Sequence, residues 1–208
     1  LISVSANGIY AISYKIPSLL TTLSTIFNQA WSYSAIKENN SLDRVSYTNK
    51  VYFQLFDNLL IVTAVLLFIM KPFMKFYVQS EYYQAWRYTP YLLIGMLFCT
   101  LATFLSTTYT VNKDSKGFLL SGMVGAVVNI LLNFIFIPIM QCSGAALATC
   151  ISYITVFIFR SIHTRKYIKL KLFTKHHIVL LIIIVIMGLS MYINNIILSE
   201  IILALELI

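Results

Sequence analysis

The chain has 208 residues, 59% of them hydrophobic and 11% charged, with a mean hydropathy of +0.83. Soluble domains carry about 25% charged residues, so a water-soluble globular fold is excluded and an integral membrane protein is left. The net charge of +8 does not mark a nucleic-acid binder, because the cations sit between apolar spans and not along one basic face.

Residues 8–36 predict a first membrane helix of about 43 Å, longer than the hydrocarbon core and therefore tilted or projecting. Lys15, Ser18, Thr22, Thr25, Gln29 and Ser32 follow at steps of three and four, forming one polar stripe that should face protein or water. Pro17 has no N–H for the carbonyl of Ser13, which predicts a kink beside Lys15. Lys15 either snorkels to the interface or lines a polar path.

A short polar connection over 37–50 leads to a second span over 51–70, which Lys71 and Pro72 should stop. Asp57, with Gln54 and Asn58, makes a polar patch inside that span. It is either near enough to the interface to stay wet or a site of proton or ion coupling. The connection from Lys71 to Tyr88 carries Phe73, Phe76, Tyr77, Tyr82, Tyr83, Trp86 and Tyr88, which suits an aromatic belt at headgroup level; such rings also stack on sugars. Thr89 and Pro90 open a third span over 89–111. Its stripe of Thr100, Thr103, Thr107 and Thr110 is weaker evidence of a polar path, because threonine can bond to its own helix backbone.

Residues 117–159 contain no Asp, Glu, Lys or Arg. One crossing needs about 20 apolar residues, so this run must fold back as two spans, 117–140 and 143–160, turning between Pro138 and Gly144. Gly122, Gly125 and Ala126 on one arm, and Ala145, Ala148, Thr149 and Ser152 on the other, would let the two helices approach closely. Asn129 and Asn133 on the same face are either interhelical glue or cavity lining. The polar stretch from Arg160 to His177 holds His163, His176 and His177, expected to be solvated, and a sixth span follows over 178–198. Cys99, Cys142 and Cys150 read as small apolar packers. There is no G-x-S-x-G, H-E-x-x-H, P-loop or Cys/His metal pattern, so neither an enzyme nor a cofactor is called for.

The helix entry NGIYAISYKIPSLLTTLSTIFNQAW, the turn NKDSKG, and NILLNFIFIP followed by SGAALAT together resemble bacterial oligosaccharide flippases. These belong to the multidrug/oligosaccharidyl-lipid/polysaccharide exporter superfamily. The resemblance covers about residues 8–160 and implies an all-α, polytopic transmembrane bundle of about six spans, one lobe of a two-lobed transporter in the bacterial cytoplasmic membrane. It implies transport of polyprenyl-pyrophosphate-linked oligosaccharide for O-antigen or capsule, with glycan polymerase and assembly proteins as partners. Lys15 would attract the pyrophosphate, with Ser18, Thr22, Thr25, Gln29, Asn129 and Asn133 lining the cavity. The alternative is a cation-coupled multidrug exporter of the same superfamily, with Asp57 as the coupling acid.

Eleven Lys and Arg fall in the connections at one end of the bundle, against Lys71, Lys75 and Arg87 at the other. The positive-inside rule places the eleven in the cytoplasm and residue 1 outside. That odd start fits a piece of a longer chain whose earlier spans lie elsewhere. A membrane-impermeant thiol reagent added outside should therefore label a cysteine placed at Ser80 but not one placed at Thr164; the reverse pattern would invert the topology.

Overall fold

The computed structural model describes residues 4–192, which form helices and their connections with no strand among them. In chain order these are α1 (Val4–Ser13), α2 (Lys15–Lys37), α3 (Arg44–Tyr77), a 3-10 segment (Ser80–Arg87), α4 (Thr89–Val111), α5 (Ser115–His163) and α6 (Lys175–Ser190). Helices α3, α4 and α5 are each long and apolar enough to cross a membrane. The part of the sixth predicted span beyond residue 192 lies outside the described residues.

The first predicted span is two helices. Pro17 cannot donate to the Ser13 carbonyl, and the chain breaks between them at Tyr14. That buried carbonyl accepts a hydrogen bond from Thr89 Oγ1 at 3.4 Å, which ties the break to the first residue of α4. The expected stop at Lys71 and Pro72 does not occur. Helix α3 runs on through Pro72 to Tyr77, and its 34 residues span about 50 Å, so its ends project from the hydrocarbon layer. Losing one backbone bond at Pro72 is not enough to end a helix whose face is packed along its length.

Helix α4 is the axis, packed against α2, α3, α5 and α6. Leu93, Leu97, Leu101 and Leu105 recur every fourth residue and are buried as one ridge. Aromatic rings fill the junction with α2 and α3: Trp31 stacks on Phe104 at 4.7 Å between centroids, and Tyr52 meets the same ring at 5.4 Å.

Helix α5 folds back on itself at Gln141, which takes φ 50° and ψ −125°. The arms are antiparallel. Ser121 meets Arg160, Gly125 meets Val156 and Asn129 meets Ser152, each pair nearly symmetric about Gln141. A side chain at Gly144 would overlap the Phe136 carbonyl, so only glycine allows the backbones to pass this closely. At the open end Asp114 closes the hairpin. Its carboxylate accepts from the Gly117 amide at 2.8 Å, from Tyr167 Oη at 2.8 Å and from Lys166 Nζ at 3.2 Å. These donors, the Gly117 amide foremost, hold the carboxyl down to about 2. The stabilisation is therefore present at all pH above the ordinary carboxylate value and is lost only as pH falls toward 2.

Gln141 holds a backbone conformation that costs a non-glycine residue about 1–3 kcal/mol. Gln141→Gly should therefore raise the thermal midpoint of the purified protein, by the equivalent of about 1 kcal/mol after the entropy glycine loses on folding. Gly144→Ala should lower it. Opposite signs would mean that the arms do not turn at these residues.

Candidate functional site

Two adjoining clefts open along the face shared by α2, α4 and α5. The larger, about 470 Å³, is lined on α4 by Cys99, Ala102 and Thr103, and on α5 by Gly122, Gly125, Ala126, Asn129, Thr149, Ser152, Tyr153, Val156 and Arg160, with Tyr14 at the α1–α2 break. The smaller, about 270 Å³, lies between α2 and α4 and includes Thr21, Ser24, Thr25, Asn28, Gln29, Ser32 and Thr100. Cys99 and Thr103 belong to both walls, so the two form one polar track.

Helical periodicity explains the wall from α2. Ile16, Leu20 and Trp31 turn into the bundle, and the polar stripe lies on the far side of the helix. Ser24 sits at the edge between the two faces and shares a 2.8 Å hydrogen bond with Thr100. Most other hydroxyls bond back to their own helices: Thr25 to the Thr21 carbonyl, Thr103 to Cys99 and Thr149 to Ala145. Such bonds cost nothing to form in hydrocarbon and leave the oxygen's lone pairs available to the cleft.

Of the residues singled out in the sequence, Thr25, Gln29 and Asn129 line the clefts. Lys15, Ser18 and Thr22 line neither; they are exposed on α2 along the same stripe. Asn129 both faces the cleft and bonds across the hairpin to Ser152 Oγ at 3.3 Å. Asn133 is off the wall and donates to Asn129 Oδ1 at 2.9 Å, orienting that amide. Cys150 is buried as a packer, whereas Cys99 forms cleft wall.

Two further residues depart from the sequence reading. Arg160 was counted with the cytoplasmic connection, but α5 continues to His163 and Arg160 is buried, 8% exposed, in the wall of the larger cleft. Its Nε donates to Ser121 Oγ at 2.9 Å and a terminal nitrogen to the Ala102 carbonyl at 2.8 Å, while the guanidinium lies over the Phe118 ring. Ser152, Val156 and Arg160 recur at four-residue steps, a spacing that could have placed Arg160 on the cleft face. The positive-inside expectation then rests on the other ten cations of that end.

His177 is the second. Expected in water, it is 3% exposed, stacked on Phe56 at 4.5 Å and Phe53 at 5.1 Å. It completes a capping box with Thr174 at the start of α6, and its Nε2 lies 3.1 Å from Asp57 Oδ1. The exposed His176 approaches the same oxygen at 3.8 Å. Asp57 thus sets its partly exposed carboxylate on α3 beside the start of α6 and is not among the residues lining either cleft. Because the Asp57 side chain is itself 43% exposed, Asp57→Asn should lower stability by no more than about 1 kcal/mol. Transport by the full-length protein should stay within about twofold of the parent; abolished transport with normal stability would instead assign Asp57 to ion coupling.

No group of His, Cys, Asp and Glu among the described residues is arranged to hold a metal ion. No solved structure gives a significant match to the chain. A probable lipid II flippase MurJ from Thermotoga maritima is 35% identical over 80 residues, which cover 38% of this chain and 17% of that protein. The family model described as lipid II flippase MurJ matches residues 90–207, which takes in α4, the α5 hairpin and α6. Because that match covers more than half of the 208 residues, the chain belongs to the lipid II flippase MurJ family.

Proposed function

We propose that the chain is one lobe of a flippase that carries a polyprenyl-diphosphate-linked saccharide of the lipid II type across the bacterial cytoplasmic membrane, and that it catalyses no bond making or breaking. The observation that carries this is the polar track along α2, α4 and α5, which bears a buried arginine and has no carboxylate in its lining. A cationic and hydroxyl-rich wall suits a diphosphate and sugar hydroxyls, whereas an exporter of cationic drugs needs an acid on the path. Lys15, exposed on the polar stripe of α2 with no carboxylate partner among the described residues, supports this reading as a cation that would attract the diphosphate at the outer end.

A lipid II precursor is favoured over an O-antigen or capsule unit by the family match on residues 90–207. The O-antigen alternative rests on the resemblance of the first-helix entry, the NKDSKG turn and the hairpin motif, with no family match beside it. In either case the chemistry handled by the track is the same, a diphosphate followed by saccharide.

The test is transport of a fluorescent lipid II analogue by the full-length protein in vesicles. The parent should move it between leaflets. Lys15→Ala should slow this by about tenfold, the scale of one charge-assisted hydrogen bond, and Lys15→Arg should retain most of the rate. Lys75→Ala, which removes an exposed cation on α3, should have little effect. Failure of the parent to move the analogue, with active export of a cationic dye, would replace this function with the multidrug alternative.

A further inference from the structure

A charged group is rarely buried in a membrane protein without an opposite charge, because desolvation is repaid only by pairing or full hydrogen bonding. Arg160 departs from this rule. It is buried, has no carboxylate partner among the described residues, and uses its donors on one serine and one backbone carbonyl. A guanidinium has five N–H donors, so with two engaged at Ser121 and Ala102, three remain for whatever enters the cleft that Arg160 lines. Its orientation is set from outside the ligand: Ser121 on the facing arm of α5 and Ala102 on α4 hold the fork, and Phe118 packs against its face. The cleft volume, about 470 Å³, falls in the usual range for small-molecule sites of about 300–1,000 Å³.

We propose that Arg160 is an anion-binding residue at the inner end of the track, receiving the diphosphate of the substrate at a station separate from Lys15. This rests on the flippase function proposed above. Along the α5 arm Arg160 lies eleven residues beyond Thr149, which lines the other part of the cleft, a separation of about 16 Å. A substrate entering from the cytoplasm meets Arg160 first, and the hydroxyls of Ser152, Thr149 and Asn129's amide lie between it and the outer end. A fixed, half-satisfied guanidinium prefers a planar pair of phosphoryl oxygens that its free edge can bind in bidentate fashion.

Gly122 permits a test that leaves the arginine in place. It follows Ser121, lines the same cleft, and a Cβ built there meets nothing within 4 Å. Gly122→Asp therefore has room for its Cβ and adds a carboxylate to the cleft that Arg160 lines, where it competes with an anion for the guanidinium. Binding is measured on the full-length protein in lipid nanodiscs with three probes: a polyprenyl diphosphate, the uncharged polyprenol and inorganic pyrophosphate. Gly122→Asp and Arg160→Gln should each weaken the polyprenyl diphosphate at least tenfold. Arg160→Lys should fall between, Lys75→Ala on the exposed face of α3 should match the parent, and polyprenol binding should not change. Equal losses for inorganic pyrophosphate would identify the free anion as sufficient for the site, while losses confined to the polyprenyl form would identify the lipid headgroup.

If Arg160→Gln does not fold, Gly122→Asp decides, since it keeps both hydrogen bonds of Arg160. Parent-like binding of the diphosphate by a folded Gly122→Asp protein would overturn the proposal and leave Arg160 as a tie between α4 and α5. Arg160-dependent pyrophosphate binding in a parent protein that moves no lipid-linked saccharide would instead retain the site and overturn the flippase function.

Discussion

The close approach of the two arms of α5 is the constraint on which the rest depends. Neither Gly125 nor Gly144 has room for a side chain, so the arms pack closely at these two levels between the turn at Gln141 and the Asp114 clasp. In lipid no hydrophobic force drives two helices together, and contact has to come from dispersion and hydrogen bonds over a tight interface. The small residues supply the first, and the bonds from Asn129 to Ser152 and from Arg160 to Ser121 supply the second. Held this way, the hairpin presents one wall, and α4 seats against it through Gly95, which lies against Cys150 of the second arm.

The cleft follows from what that wall does not fill. Glycine and alanine at 122, 125 and 126 leave volume beside α4, and the polar edge of α2 lines the remainder. Packing, polar satisfaction and the track are therefore one arrangement: the residues that let the arms meet also leave the space, and the hydroxyls that bond to their own helices can line it without desolvation cost. Arg160 is the exception that gives the space a sign, since its charge is buried with donors to spare.

Much of this was legible in the chain, for reasons that differ by element. The hairpin could be read because a charge-free run too long for one crossing has to return, and Pro138 to Gly144 was its only punctuation. The span over 89–111 had its cap in Thr89 and Pro90. Where sequence and structure part, the cause is a partner distant in the chain. His177 is buried by Phe53, Phe56 and Asp57, all on α3, and nothing within its own basic stretch signals them. Arg160 reads in sequence as the start of a loop because charge usually marks the membrane surface, yet the hydrogen bonds it donates to Ser121 on the facing arm of α5 and to the Ala102 carbonyl on α4 make its burial tolerable. Pro17 was read correctly as a fault in the first helix, but only the fold shows Thr89 taking up the carbonyl it frees.

The register of the two α5 arms is the claim from which the cleft, the placement of Arg160 and its contact with Ser121 all follow. It can be measured by disulfide trapping. A Cβ at position 125 lies 3.8 Å from the Val156 Cβ, within the span of about 3.5–4.5 Å that a disulfide bridges. In a variant with its native cysteines replaced, Gly125→Cys with Val156→Cys should close rapidly on mild oxidation in the membrane, and Gly125→Cys paired with Phe159→Cys should not. Efficient closure of the second pair in place of the first would contradict the register and with it the cleft.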